Sequence, residues 1–405
     1  MLPPAAHASL SLAEALARTA ERNPRLLADS AQTRAAAARV EQAGFAPNPV
    51  LGVTLENFAG TGTARGVDSL ESTVEISQTL ERGAKRTRRT ALATREQAIT
   101  TQELAVQRAS LLAATAQAYV DTVVAEQRLA LATAPRQLAR DTLDALTAHA
   151  SVGAASSAEI ARARAMLAVA EAEVARRETE LTLARSALAA AWGGDATDVP
   201  PLGSDLHLPP TLPDRAAWLP RLSAHPRFAL HAAQLDARRA ALELEQAHAV
   251  QDVSVAGGVR FLRESSDAAF VAGVSVPLPI RHKNQGGIRA ARELLAGTEL
   301  AAAALETELR AEFAAAWHEL TAAHDAVLRL RRDALPATEA ALTAVRDAHT
   351  AGELPLTDVF DAQRALTLLR RDLLDQHAAF AHALVRLETL THSDFSATTA
   401  LFSAP

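Results

Sequence analysis

The chain has 405 residues, a net charge of −6 and no cysteine. The charge argues against a nucleic-acid partner, and the missing cysteine excludes disulfides, thiolate chemistry and a lipidated N-terminal cysteine. Aromatic residues make up 3% and hydrophobic residues 49%, and the prevalence of Ala and Leu favours long, closely packed helices over a thick globular core.

The sequence contains no run of 18 apolar residues, so it predicts no transmembrane helix. Its opening, MLPPAAHASL, lacks the pattern of a signal peptide and is expected to be a processed or truncated start.

The first half, 1–195, predicts a helix, two strands, a long helix, a tip and a return helix. In the strands, apolar residues such as Leu51, Val53 and Val74 alternate with small or polar ones, which is the pattern of a sheet with one apolar face. The predicted bounds are 11–44 for the first helix, 49–58 and 68–80 for the strands, 84–148 for the long helix and 149–157 for the tip.

A Pro- and Gly-rich join at 196–213 precedes a second half, 214–392, in which the same order returns. The predicted bounds are 213–249 for the first helix, 251–262 and 268–279 for the strands, 284–348 for the long helix, 349–357 for the tip and 393–405 for the tail.

Matching segments in the two halves predict a two-fold internal repeat. NPRLLADSAQ (23–32) matches HPRFALHAAQ (225–234), and AHASVGAASSAEIARAR (148–164) matches AHTAGELPLTDVFDAQR (348–364). Proline occurs at equivalent places in the long helices, so we expect kinks at Pro135 and Pro336.

The strands have the length of tilted membrane-spanning strands, and each long helix would reach roughly 95 Å. Four strands cannot close a barrel, and open strand edges cannot sit in lipid. Strands that cross a membrane would therefore have to be pooled between copies. Two soluble hairpins, each with one face on a core, are the alternative.

The segments SQTLERGAKRTRRTALA (77–93) and VSVPLPIRHKNQGGIRAAR (274–292) resemble the barrel-to-helix junctions of the TolC-like outer-membrane efflux factors, and most closely the heavy-metal, CzcC-like branch. The resemblance covers nearly the whole chain. It implies a homotrimer with a shared 12-stranded β-barrel in outer-membrane lipid and a long helical tunnel in the periplasm. It also implies a periplasmic adaptor (membrane fusion protein) and an inner-membrane proton-driven pump as partners.

The resemblance further implies lumen-facing acidic rings near the periplasmic tip. It places Asp358 and Asp361 at those positions, with Glu159 equivalent to Asp358 in the first half. His349 falls where relatives carry a gate tyrosine, and Leu354 where some carry arginine. The alternatives are an acidic helix start favoured by the helix dipole and a solvated histidine.

The two tips are candidate adaptor-docking surfaces, a role that also rests on the resemblance. Small residues and glycines there would let another helical hairpin approach closely, although any helical hairpin needs such a turn. The candidate residues are Val152, Gly153, Ala154, Gly352, Glu353 and Leu354.

Several short motifs are excluded by their spacing. HELTAAH (318–324) has its histidines six apart rather than four, and neither GAKRT (83–87) nor GTGTARG (60–66) has the spacing of a nucleotide-binding loop. We therefore expect no enzyme activity, no metal site and no cofactor. Five basic residues follow the second strand and either anchor the chain to lipid headgroups or begin a solvated helix: Arg82, Lys85, Arg86, Arg88 and Arg89.

The sequence thus predicts a mainly helical efflux channel with a small β part, exporting heavy-metal cations through a tripartite system. One alternative keeps the channel but changes its cargo to drugs or secreted proteins. The other is a periplasmic adaptor or coiled-coil scaffold, which would lack the paired alternating strands and the repeat.

Overall fold

The computed structural model describes residues 10–151 and 156–402. They form two compact units, which we call the helical unit and the sheet unit. The helical unit takes the described residues of Met1–Asp29, Leu104–Pro226 and Glu306–Pro405, and the sheet unit takes Ser30–Glu103 and Arg227–Leu305. Each unit contains segments from both sequence halves, so the units do not coincide with the two predicted repeats.

The prediction of a mainly helical chain with four strands is confirmed. The helices are α1 (Leu12–Arg22), α2 (Pro24–Ala43), α3 (Lys85–Ser151), α4 (Ser157–Ala190), α5 (Arg215–Trp218), α6 (Pro226–His248), α7 (Gln285–Arg329), α8 (Leu335–Thr350), α9 (Leu356–Leu390) and α10 (Ser396–Ala400). The strands are β1 (Val50–Glu56), β2 (Glu71–Leu80), β3 (Val253–Leu262) and β4 (Asp267–Ser275).

Proline breaks both of the helices that were expected to begin the two halves. The residue before a proline is pushed out of the helical region, and Asn23, which precedes Pro24, ends α1 with an extended ψ of 122°. The buried Asn23 side chain then accepts hydrogen bonds from the backbone of Arg25 and Leu26, so it starts α2 as well. His225, before Pro226, ends a 3-10 helix in the same way.

The backbone around the proline differs between the two long helical segments. Pro135 lies inside the uninterrupted α3. Pro336 is instead preceded by one turn of π-helix, Leu330–Ala334, which divides α7 from α8. A π turn accommodates the missing N–H and the bulk of the proline ring, so the irregularity falls just before Pro336.

The helical unit is held by a dense apolar core on α3, α7 and α9. Its largest fully buried side chains include Tyr119, Phe313 and Phe380. The Tyr119 hydroxyl donates to the Leu10 carbonyl at 2.9 Å, which satisfies its polar atom in the apolar surroundings.

A second buried polar group in this unit fixes the C-terminal segment. The Glu388 carboxylate is 1% exposed and accepts hydrogen bonds from the backbone N–H groups of Ala397 and Thr398 and from the Thr398 hydroxyl. Burial raises the pKa of Glu388 in spite of these bonds.

The sheet unit contains one antiparallel sheet with strand order β1-β2-β3-β4. Its register aligns Val53 with Val74, Val74 with Val259, and Val259 with Phe270. Within the described residues, the outer edges of β1 and β4 pair with no further strand. The fourth strand ends at Ser275 rather than near residue 279, because Pro277 and Pro279 cannot donate ladder hydrogen bonds.

Candidate functional site

The sheet has two chemically opposite faces. On one face, the row Val53, Val74, Val259 and Phe270 crosses all four strands, and every one of these side chains is exposed. Phe270 is 93% exposed. Further exposed apolar residues on this face are Leu51, Leu55, Ile76, Phe261 and Val274. So large an exposed apolar surface marks a contact with lipid or with another protein.

The opposite face is polar and contains a cross-strand ion cluster. Arg260 on β3 donates to Thr73 Oγ1 at 3.0 Å and to Glu71 Oε2 at 2.9 Å on β2, and its Nη2 lies 3.2 Å from Glu56 Oε2 on β1. Asn57 also donates to Glu71. The side chain of Arg260 therefore connects β1, β2 and β3 on the polar face. In the central rows of these three strands, this face carries no large apolar side chain.

The first strand-to-helix junction is closed by ion pairs. Lys85 Nζ lies 2.8 Å from Asp252 Oδ1, Arg88 pairs with Glu243, and Arg89 pairs with Glu81. Three of the five basic residues proposed as headgroup anchors are thus engaged by carboxylates. The side chains of Arg82 and Arg86 form no ion pair among the described residues. Only these two of the five therefore stay candidates for anchoring to lipid headgroups.

The second junction uses a different device at the equivalent place. Ala84 and Asn284 both adopt positive φ, 58° and 55°, one residue before α3 and α7 begin. The Asn284 side chain donates to the Glu245 carbonyl at 2.8 Å and also to the Glu245 carboxylate. Just upstream, Leu278 and Ile280 are 75% and 78% exposed.

The described tip of the helical unit is a glycine-terminated helix end between α8 and α9. Gly352 has φ +79°, its N–H bonds to the His349 carbonyl, and the Glu353 N–H bonds to the Ala348 carbonyl. These two bonds satisfy two of the carbonyls in the last turn of α8. His349 Nδ1 lies 2.9 Å from the Leu354 carbonyl, and because a carbonyl only accepts, Nδ1 carries the proton.

The two aspartates predicted as ring residues lie in the first turns of α9. Asp358 is half-buried and Asp361 is exposed. The Thr357 hydroxyl lies 3.4 Å from Asp358 Oδ1. Their i, i+3 spacing puts both carboxylates on one side of the helix. That this side faces a lumen stays a prediction.

Glu159 is engaged as a helix cap. Its carboxylate accepts from the Ser156 N–H at 2.7 Å and the Ser156 hydroxyl at 2.8 Å, while the Ser156 hydroxyl accepts from the Glu159 N–H. These hydrogen bonds hold the pKa of the exposed Glu159 carboxyl below its usual range. The Ser-x-x-Glu pattern at 156–159 signals such a capping box, and a pore role for Glu159 stays a prediction.

The first candidate docking tip falls outside the described residues, since Val152, Gly153 and Ala154 lie in the gap at 152–155. Elsewhere in the helical unit, an open groove of about 560 Å³ runs between α3, α4 and α9, with Pro135, Met166 and Phe360 in its lining. Val169 and Leu368 in the same groove are 71% and 56% exposed.

The described residues contain no cluster of three or more His, Asp or Glu side chains able to hold a metal ion. None of the described helices has a stretch both long and apolar enough to span a bilayer.

Sequence reasoning missed the residues of the polar sheet face, chiefly Glu56, Glu71, Glu75 and Arg260. Their signal was present, because strict alternation from Glu71 through Thr73 to Glu75 puts these side chains on one face. What the sequence could not give was the register that sets Arg260 opposite Thr73, within reach of the carboxylates of Glu71 on β2 and Glu56 on β1.

The same fold occurs in proteins of known structure. The outer membrane protein VceC from Vibrio cholerae superposes with a TM-score of 0.73 at 18% identity, covering 95% of this chain and 97% of that one. The long helices combined with a four-stranded sheet thus define the class by fold, which is the fold of that outer membrane protein.

Sequence comparisons agree with the fold. A family model described as "Outer membrane efflux protein" matches residues 15–194. The cobalt-zinc-cadmium resistance protein CzcC of Cupriavidus metallidurans is 28% identical over 84% of this chain and 79% of its own length. The nickel and cobalt resistance protein CnrC of the same organism is 28% identical over 68% of this chain and 65% of its own.

Residues 15–194 of the chain match the outer membrane efflux protein family, and the resemblance to the heavy-metal branch is confirmed. The predicted outer-membrane localisation is confirmed at the level of the family.

Proposed function

We propose that three copies of this chain form the outer-membrane channel of a tripartite efflux system that exports heavy-metal cations. The channel carries out no catalysis, and the energy for transport comes from an inner-membrane proton-driven pump joined through a periplasmic adaptor.

The observation that carries this proposal is the two-faced sheet, whose edge strands β1 and β4 have no further partner strand in the part of the chain that the structure describes. Exposed apolar side chains on one face suit lipid, and the ion cluster around Arg260 on the other face suits water. In lipid, the backbone N–H and C=O groups at the outer edges of β1 and β4 would have to be paired. Pairing β4 of one copy with β1 of the next would satisfy the groups at both edges. Three copies would supply 12 strands.

The cargo is inferred from the relatives, because CzcC and CnrC are named as resistance proteins for cobalt, zinc, cadmium and nickel. Drug efflux and protein secretion by the same channel are the alternatives. Deleting the gene and measuring tolerance to cobalt, zinc and cadmium against a drug panel separates them. Sensitivity to the drugs alone would contradict the metal assignment.

The adaptor is proposed to dock at the helical tips and beside them. Gly352, Glu353 and Leu354 form the described tip, and the groove with exposed Val169 and Leu368 offers an adjoining apolar surface. Asp358 and Asp361 would form acidic rings in the trimer, which concentrate cations at the entrance.

A pair of substitutions tests the lipid-facing assignment of the sheet. Phe270→Arg puts a charge on the apolar face, where it costs roughly 2–4 kcal/mol in lipid, and should prevent assembly in the outer membrane. Gly273→Arg, three residues along β4 on the polar face, should assemble normally, because it pairs with Ala256 and nothing lies within 4 Å of a Cβ at that position. Equal amounts of both variants in outer-membrane fractions would contradict the proposal.

A periplasmic adaptor or scaffold is the rival from another class. Such a protein would be expected to stay monomeric without detergent and to tolerate Phe270→Arg.

A further inference from the structure

Glu75 in the middle of β2 is a carboxylate without a counter-ion. It is half-buried on the polar face of the sheet and makes no hydrogen bond or ion pair among the described residues. An ionised carboxylate that is partly withdrawn from water is costly to leave unpaired. Such a position stabilises a mobile cation.

The nearest cation in the sheet is already neutralised. Arg260 lies diagonally across from Glu75, since Thr73 is its direct partner in the register. Its guanidinium binds Thr73, Glu71 and Glu56, all in rows nearer the strand-connecting loops. Arg260 therefore pairs with Glu71 and Glu56 and not with Glu75.

Two glycines hold the space around this carboxylate open. Gly52 on β1 and Gly258 on β3 are the direct partners of Glu75. A Cβ on Gly52 would lie 3.3 Å from Glu75 Cγ, and a Cβ on Gly258 would lie 2.2 Å from the Val74 carbonyl oxygen. Only glycine fits at 258, and neither neighbour covers the carboxylate with a side chain.

We propose that Glu75 sets the cation selectivity of the channel at the level of the sheet. The inference rests on the proposed function, because three copies must share one barrel for their Glu75 carboxylates to lie at one level of one lumen. Its ligands are mobile monovalent and divalent metal cations, held weakly enough to pass, and anions are repelled.

The test uses the full-length protein reconstituted in planar bilayers of neutral lipid. The K⁺/Cl⁻ permeability ratio is obtained from the reversal potential in a KCl gradient, and block by Co²⁺ is measured on the same channels. Glu75→Gln should lower the K⁺/Cl⁻ ratio by roughly fivefold and weaken Co²⁺ block, because it removes one pore charge per copy.

Two further variants make the result specific. Glu75→Asp keeps the charge and should retain the wild-type ratio. Glu264→Gln removes an exposed carboxylate from the turn between β3 and β4 and should leave the ratio within error. Glu75→Ser replaces the Gln variant if that variant fails to insert.

The outcomes separate the two claims. Wild-type channels whose selectivity is unchanged in both Glu75→Gln and Glu75→Ser would overturn the role of Glu75 alone. A wild-type protein that forms no channels would overturn the proposed function and this inference together.

Discussion

Arg89 binds Glu81 through two hydrogen bonds, 2.7 Å from Nη1 to Oε1 and 3.2 Å from Nη2 to Oε2. The same guanidinium donates to the carbonyls of Ala43 and Phe45, both at 2.9 Å. One side chain at the start of α3 thus joins the end of β2 to the end of α2 within the sheet unit. A planar, five-donor group is required for this arrangement, and lysine could not replace it.

We expect Arg89→Met to lower the free energy of unfolding by roughly 2–4 kcal/mol. The substitution strands the Glu81 carboxylate, which is 12% exposed, although the partial exposure of Arg89 reduces the loss below that of a fully buried pair. Thermal unfolding in detergent, followed by circular dichroism, measures the effect. Arg86→Met, at an exposed position three residues earlier, is the control and should change little. Equal stability of the two variants would show that the hydrogen bonds of Arg89 do not stabilise the sheet unit.

Gly83 and Gly352 provide a matched pair for backbone strain. Both have positive φ, at 67° and 79°, so Ala at either position costs about 1 kcal/mol. A Cβ on Gly83 would also lie 2.8 Å from Val250 Cβ, whereas nothing lies within 4 Å of one on Gly352. Gly83→Ala should therefore be clearly the more destabilising in the same unfolding assay, and the reverse order would show that the junction relaxes around the new methyl group.

His377 on α9 should make the helical unit sensitive to acid. Burial lowers the pKa of His377 from 6.5 to about 4, with the nearby Arg331 charge adding to the effect. Its Nε2 is shielded from solvent and has no hydrogen-bond partner in the described part of the chain. As the pH falls from 6.5 to about 4 the unfolded chain takes up the proton first, so stability present above pH 6.5 is lost across this window.

The size of this acid effect can be isolated by substitution. The loss should be about 1–2 kcal/mol, because part of the side chain still reaches solvent. Comparing wild type with His377→Gln at pH 7.5 and pH 4.5 isolates the histidine from the carboxylates that also titrate. A wild type that loses no more stability than His377→Gln would contradict the assignment.

The tip carboxylates are tested by conductance. Asp358→Asn combined with Asp361→Asn should weaken block by multivalent cations in planar bilayers, since it removes two negative charges per copy from the proposed rings. Asp141→Asn with Asp144→Asn removes the same charge at the same spacing from exposed positions on α3 and should leave block unchanged. Block that is unaltered in the tip variant would show that Asp358 and Asp361 do not line the lumen.

The sequence predicted the elements whose signal is periodic and long. The strands β1 to β4 were recognisable by their alternation, and α3 and α7 by their long runs of helix formers. Each of these patterns is repeated over many residues. The ends of elements were harder, since a single residue decides them. Pro24 and Pro226 divided helices that were predicted to be whole, although the preference of the preceding residue for extended backbone was readable in the sequence.

The candidate site was less predictable because its chemistry depends on pairing between distant segments. The basic run after β2 reads as a free cationic surface until Asp252, Glu243 and Glu81 are brought beside it. Likewise, the isolation of Glu75 follows only from a register that sets glycines on both sides. By contrast, the cap at Ser156 and Glu159 depends on local spacing alone and was readable in the sequence, although Glu159 was predicted instead as part of an acidic ring or an acidic helix start.

The number of chains in the purified particle tests most directly whether the sheet is completed by neighbouring copies in lipid. Native mass spectrometry of the protein extracted in detergent should give one species of three chains of 42.7 kDa each, which falls apart only on unfolding. A single 42.7 kDa chain that stays in solution without detergent would contradict the account, because the edges of β1 and β4 and the apolar face would then be exposed to water.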